Sequence, residues 1–82
     1  MKGKKIVHLK ERYQRALENT HESYKKLITA FREWMERYEN HTLRWDDVVK
    51  EMTLLLGEIV SRLIEEVWAA RDYIKALEES KQ

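Results

Sequence analysis

The stretch Glu39-Asn40-His41-Thr42, written ENHT, interrupts a helical pattern near the middle of the 82-residue chain. Asparagine tolerates the left-handed backbone conformation that commonly ends a helix, so Asn40 is the predicted end of a first helix. Thr42 can cap the start of a second helix with its hydroxyl oxygen, and the pair Asp46-Asp47 then places negative charge near the positive end of that helix. The stretch therefore predicts two helices joined by a short turn.

On both sides of this turn, apolar residues recur at steps of three and four, which is the period of an amphipathic helix. We predict one domain, 1–82, with a helix over about 5–39, a turn at 40–42 and a helix over about 43–79. A break at Gly57, which would give three helices, is the alternative, because glycine disfavours a helix interior. Two helices of similar length joined by a short turn form an antiparallel hairpin. The first pattern consists of Ile6, Leu9, Tyr13, Leu17, Tyr24, Leu27, Phe31, Trp34 and Tyr38, and the second of Trp45, Val49, Met52, Leu56, Ile59, Leu63, Val67, Ala70, Ile74 and Leu77.

The small size of the chain makes association with other chains the expected source of stability. A domain of this length buries only about 60–65% of its unfolded surface, so a monomer has a thin core. The sequence contains no cysteine, which excludes disulfides and thiolate metal sites as a remedy. Oligomerisation is the remaining common route. We therefore predict an all-α hairpin that dimerises into a four-helix bundle or joins a larger helical assembly.

The most apolar run of the chain, Met52–Val60 or MTLLLGEIV, is apolar on two sides of the second helix. At 100° per residue the main apolar face spans about 140°, which is wider than one neighbouring helix covers. A further set of residues, spaced three, four, three and four, lies on the opposite side and includes two small residues that let another backbone approach closely. We call this set the second seam and predict that it contacts another chain. Its members are Leu54, Gly57, Ser61, Ile64 and Trp68.

Charge is balanced over the whole chain, with 16 Lys and Arg, 15 Asp and Glu and a net charge of +1. This balance argues against strong non-specific attraction to nucleic acid or to an anionic membrane. The first half is nevertheless basic and the second half acidic, so the halves are electrostatically complementary. Charged stripes beside an apolar face usually set orientation and partner choice in helix bundles. The acidic stripe recurs at every seventh position as Glu51, Glu58, Glu65, Asp72 and Glu79, and the basic stripe consists of Lys5, His8, Arg12, Arg15, Lys26 and Arg37.

The basic stripe also supports a second hypothesis, in which a dimeric hairpin binds nucleic acid. Lys5, Arg12, Arg15 and Lys26 would then contact phosphates, as the basic helices of nucleic-acid-binding proteins do. Glu33 interrupts the stripe, however, and further glutamates lie beside it. We therefore favour a solvated or intersubunit charged surface.

Polar residues interrupt both apolar patterns at the same level of the hairpin. If opposed residue numbers sum to about 83, His21 lies near Arg62, with Thr20 and Glu66 within a turn of them. The spacing Glu18-x-x-His21 resembles a four-residue motif of ferritin-like di-iron hairpins, and the resemblance implies metal ligands at Glu18, His21 and Glu66 in a dimer of hairpins. Glu18 points away from the centre of its apolar stripe. We therefore predict that this polar level fixes the helix register and that the protein binds no metal or other cofactor.

The sequence contains no recognisable catalytic arrangement. There is no cysteine nucleophile and no glycine-rich phosphate loop, and neither Ser23 nor Ser61 has the surroundings of an activated nucleophile. We expect no enzymatic activity. The sequence also lacks a signal-peptide pattern and a run of about 20 apolar residues, so we expect a cytoplasmic protein that does not enter membranes. The leading hypothesis is a non-enzymatic structural or regulatory module that binds copies of itself and a protein partner.

Overall fold

A computed structural model describes residues 2–81 and contains, within that range, two α-helices that pack against each other. Helix α1 spans Lys2–Glu39 and helix α2 spans Trp45–Ser80. The hairpin that they form has extents of 62 × 15 × 14 Å. The predicted all-α hairpin is confirmed, and its helix boundaries differ from the predicted ones by at most three residues.

Helix α2 continues through Gly57 without interruption, so the three-helix alternative is not adopted. A glycine inside a helix costs about 1 kcal/mol relative to alanine. The adjacent turns offset this cost, because Ile59 is buried and Leu55 is half-buried against α1. Tertiary packing therefore outweighs the local preference at this position.

The turn between the helices differs from the predicted one in its details. His41, rather than Asn40, adopts the left-handed conformation, with a φ of 58°. The His41 amide donates to the Tyr38 carbonyl at 3.1 Å and the Thr42 amide donates to the Arg37 carbonyl at 2.9 Å, which is the Schellman pattern of helix termination. The Thr42 hydroxyl also donates to the Arg37 carbonyl, so the prediction that it caps α2 is wrong.

Helix α2 instead begins after Arg44. The backbone of Arg44 is extended, with a φ of −115° and a ψ of 118°, and no side-chain hydrogen bond caps the helix within the described chain. Asp46 and Asp47 lie in the first turn as predicted, where their charges interact favourably with the helix dipole. The start of α2 thus depends on charge rather than on a capping hydroxyl.

The interface between α1 and α2 follows a seven-residue repeat. Buried and half-buried side chains recur at alternating steps of three and four on both helices, which is the spacing of an antiparallel coiled coil. Many of the fully buried residues are small, among them Ala16, Thr20 and Ser23 on α1 and Ala69 and Ala76 on α2. The interface is therefore narrow and close-packed. It comprises Ile6, Leu9, Tyr13, Ala16, Thr20, Ser23, Leu27, Ala30 and Trp34 on α1, and Val48, Met52, Leu55, Ile59, Arg62, Glu66, Ala69, Tyr73 and Ala76 on α2.

Part of the apolar pattern predicted to face α2 is exposed instead. Leu17, Tyr24, Phe31 and Tyr38 are all exposed, whereas Trp34 is buried. The four exposed residues lie seven positions apart, and the first three follow the interface positions Ala16, Ser23 and Ala30, so the set is rotated by about 100° from the line of contact. The contact face of α1 is thus narrower than its apolar pattern.

The hairpin is much less compact than a globular domain of the same length. Its radius of gyration is 18.5 Å, whereas a compact chain of this length has about 12 Å. Its accessible surface is 6855 Å², whereas a compact monomer of this mass exposes about 5,200 Å². The excess is of the size that one protein buries in forming a stable dimer.

Candidate self-association surfaces

One flank of the hairpin is charged and joins the two helices through ion pairs. Arg12 Nη1 lies 2.9 Å from Asp72 Oδ2, and Lys26 Nζ lies 3.0 Å from Glu58 Oε1. In both pairs the residue numbers add up to 84, one more than the predicted value of about 83. Because these residues recur with the coiled-coil repeat, they lie on the same flank of the interface. The predicted electrostatic complementarity of the two halves of the chain therefore acts between α1 and α2 of one hairpin.

The ion pairs change the titration of their carboxylates. The hydrogen bond from Lys26 lowers the pKa of Glu58, and the nearby Ser23 hydroxyl lowers it further. The hydrogen bond from Arg12 lowers the pKa of Asp72, with a smaller contribution from Arg71. Both carboxylates are therefore held in the ionised state that attracts α1.

This charged flank bears on the nucleic-acid hypothesis. Of the four residues predicted to contact phosphates, Arg12 and Lys26 are engaged with acidic side chains of α2. Lys5 and Arg15 are exposed on α1, and Lys5 lies beside a shallow depression that Glu79 also lines. Each phosphate contact by Arg12 or Lys26 would have to replace an existing ion pair.

The opposite flank of the interface is apolar and exposed. The positions just outside the contact face carry large apolar side chains on both helices, again at steps of three, four and seven. We call this set the apolar flank. It consists of Leu17, Tyr24, Ile28, Phe31, Met35 and Tyr38 on α1, and Val49, Leu56, Val60, Val67 and Ile74 on α2.

The apolar flank deepens into a groove near the turn. This groove has a volume of about 450 Å³ and lies between Phe31 and Tyr38 of α1 and Val48 and Met52 of α2. Phe31 also packs edge-to-face on Trp34, with ring centroids 5.2 Å apart. Aromatic pairs of this geometry are favourable by about 0.5–1.5 kcal/mol, so the contact of Phe31 with Trp34 stabilises one wall of the groove.

The exposure of the apolar flank was only partly anticipated from sequence. The excessive width of the apolar face of α2 was recognised, but the aromatic residues of α1 were assigned to its core pattern. The regular interval of seven between Leu17, Tyr24, Phe31 and Tyr38 was the available signal. Residues that contact a single partner helix alternate at steps of three and four. A set of residues spaced only by seven lies on an adjoining face of the helix.

The second seam lies on the outer surface of α2, away from the interface with α1. Leu54, Gly57, Ser61, Ile64 and Trp68 are all exposed. A Cβ atom added to Gly57 would meet no atom of the described residues within 4 Å. The surface around Gly57 is therefore open in the single hairpin.

The polar level in the middle of the hairpin contains small buried hydroxyls. Thr20 is 4% exposed and donates to the Ala16 carbonyl at 3.0 Å, and Ser23 is 2% exposed. Arg62 and Glu66 of α2 are half-buried at the same level. Small and polar side chains thus replace large apolar ones at the middle of the interface between the two helices.

The residues of the ferritin-like motif are not brought together as a ligand set. Glu18 and His21 are exposed on α1, and Glu66 is half-buried on α2. Within residues 2–81, no three His, Asp or Glu side chains lie close enough to hold a metal ion together.

Comparisons of the chain with protein-family models, with curated proteins and with solved structures found no match. Within the described range, neither helix combines the length with the apolar composition needed to cross a membrane. The surfaces of the hairpin are therefore the basis for a functional proposal.

Proposed function

We propose that the protein is a non-enzymatic, self-associating helical hairpin, in which two copies cover each other's apolar flank and form a four-helix bundle. The bundle serves as a structural or regulatory assembly module. One observation carries this proposal: most of the fully buried side chains are small, whereas many of the large apolar ones are exposed. Large apolar side chains dominate the energetics of protein cores, so they are expected to be buried in the functional form.

A second copy of the chain suits the apolar flank better than an unrelated partner. The flank runs along both helices, so two hairpins related by a two-fold axis present the same surface to each other. Its members carry no formal charge, so their burial leaves no ion unpaired. The charged flank stays outside in this arrangement. Each helix then contacts two neighbours, as in other four-helix bundles.

A matched pair of variants tests the proposed dimer. Ile28 belongs to the apolar flank, and the adjacent Thr29 lies outside it, but both are exposed in the single hairpin. Ile28→Glu is expected to break the contact between apolar flanks and so lower the mass of the assembly, because it would bury a carboxylate in the bundle core. Thr29→Glu is expected to leave the mass unchanged. Light scattering over a range of micromolar concentrations measures the difference.

Two results would count against the dimer. The first is a monomeric mass for the wild-type chain at high concentration, together with full helicity and cooperative melting. The second is a mass for Ile28→Glu equal to that of wild type, which would mean that the apolar flank is not an interface. The nucleic-acid and ferritin-like alternatives stay hypotheses, since no structural observation favours either one over self-association.

A further inference from the structure

The second seam remains uncovered in the proposed dimer. The outer surface of α1 is polar and mostly charged along its length. On α2, by contrast, the outer positions that lie between Lys50 and Arg71 are uncharged over about six turns. In this interval Leu54 is 75% exposed, Ile64 is 48% exposed and Trp68 is 56% exposed. One exposed tryptophan is ordinary on a protein surface, but three large apolar side chains at regular spacing mark a contact surface.

The spacing of the second seam matches a second copy running in the opposite direction. Leu54 and Trp68 each lie seven residues from Ser61, so a two-fold axis over Ser61 places Leu54 of one chain opposite Trp68 of the other. The same axis brings Ile64 of one chain within one residue of the level of Gly57 of the other. The Ile64 side chain thus lies close to Gly57, which has no side chain, and the described residues leave the space beside Gly57 open.

At the ends of the seam, Lys50 of one chain comes within one residue of the level of Arg71 of the other, and one pair of opposite charges lies beyond them. Asp47 and Lys75 each lie fourteen residues from Ser61 on the outer side of α2, so each Asp47 faces the Lys75 of the other chain. Of the acidic side chains next to the seam, Glu51, Glu58 and Asp72 are held towards α1 by ion pairs, and Glu65 pairs with Arg62 of its own helix. Each therefore has a basic neighbour within its own hairpin.

We infer that the second seam binds the second seam of another copy, with the two α2 helices antiparallel, and joins dimers into tetramers or longer assemblies. This inference rests on the proposed function but uses a different surface from the apolar flank. Gly57 and Ser61 allow the two helix backbones to approach closely. The flanking Leu54, Ile64 and Trp68 side chains then fill the space beside the crossing.

The test measures assembly mass for the wild type and three variants. Wild type forms a species of at least four chains. Gly57→Leu fills the space that receives Ile64, and Trp68→Glu places a charge in the contact, so each reduces the assembly to two chains with unchanged helicity. Arg15→Glu makes a comparable charge change on the outer surface of α1 and leaves the mass unchanged.

A charge exchange tests whether the occupant is another copy. Asp47→Lys and Lys75→Asp, made separately, each shift the assembly towards two chains because they place like charges opposite each other. The double variant carrying both changes restores the larger species, since each chain supplies both members of the pair. No restoration would mean that the two helices do not pair antiparallel around Ser61.

The outcomes separate this inference from the proposed dimer. A wild type of two chains at every concentration, which stays dimeric with Trp68→Glu, overturns the inference and leaves the dimer intact. A wild-type dimer that Trp68→Glu dissociates and Ile28→Glu does not would make the second seam the dimer interface, which overturns both the assembly of dimers and the role of the apolar flank. A monomeric wild type overturns both proposals.

Discussion

At the scale of single residues, the turn contains two positions that fit their conformations imperfectly. His41 adopts the left-handed conformation that glycine usually provides. Arg44 has the extended backbone of an N-cap residue but no side-chain acceptor for the first amides of α2. The turn nevertheless forms, because the Schellman hydrogen bonds end α1 and the packing of the two helices fixes their separation. Substitutions in the turn can therefore stabilise the protein without altering the interface between α1 and α2.

Replacing His41 with glycine is expected to stabilise the protein. The change relieves the contact between a Cβ atom and the backbone that the left-handed conformation imposes, and it should raise the free energy of unfolding by about 1 kcal/mol. Asn40→Gly is the matched control, because Asn40 has no positive φ and glycine there only adds flexibility to the unfolded chain. Thermal and denaturant unfolding measure both variants. A lower melting temperature for His41→Gly would show that the imidazole makes a contact that outweighs the strain.

At the scale of helices, the charged flank fixes how α1 and α2 are rotated and aligned. The Arg12–Asp72 and Lys26–Glu58 pairs lie two coiled-coil repeats apart on α1 and share the same register. A shift of one helix by a turn would separate both pairs at once. Exposed ion pairs contribute only about 0–1 kcal/mol each, so their role is to select an alignment rather than to supply most of the stability.

These ion pairs predict a characteristic dependence of stability on pH. Glu58 and Asp72 have lowered pKa values in the folded protein, so they add stability above their ordinary pKa values of 4.5 and 3.8. That stability is lost as the pH falls through the lowered values, because protonation removes the attraction to Lys26 and Arg12. The double variant Glu58→Gln with Asp72→Asn should melt below wild type at neutral pH and match it in strong acid. A difference in melting temperature that is independent of pH would contradict the assignment.

At the scale of the whole molecule, the hairpin is long, thin and apolar on one side. Its 62 Å length and 15 Å width leave no room for a second layer that could cover large side chains. Under the proposed function, the partner layer comes from another chain. In the proposed bundle the polar level around Thr20 and Ser23 lies within the hairpin interface, and the large side chains of the apolar flank form the central core.

Dimeric unfolding predicts that thermal stability depends on protein concentration. Dilution favours dissociation, so a tenfold dilution should lower the melting temperature by about 4 °C for a two-state dimer of this size. Ile28→Glu should melt at a lower temperature that changes less with dilution, because the contact between apolar flanks is lost. Calorimetry or circular dichroism over two decades of concentration measures both. A wild-type melting temperature that is constant over that range would indicate a monomer.

The sequence was sufficient for the helices, the turn and the register because these depend on local spacing. Steps of three and four, and the absence of proline, favour helices on either side of the turn. The predicted register, in which opposed residue numbers sum to about 83, lies within one residue of the observed ion pairs. The identity of the left-handed residue was not predictable in the same way, since Asn40 and His41 are neighbours and both tolerate that conformation.

The rotation of each helix about its axis was decided only by the tertiary structure. The apolar arc of α2 is wide enough to contact α1 in several orientations, and the aromatic residues of α1 fit more than one of them. The ion pairs on one flank, and the close approach at small residues such as Ala16 and Ala69, select one orientation. That orientation leaves Tyr24, Phe31 and Leu56 outside the hairpin interface. Sequence spacing determines which residues share a face of a helix, whereas packing between helices determines which face is covered.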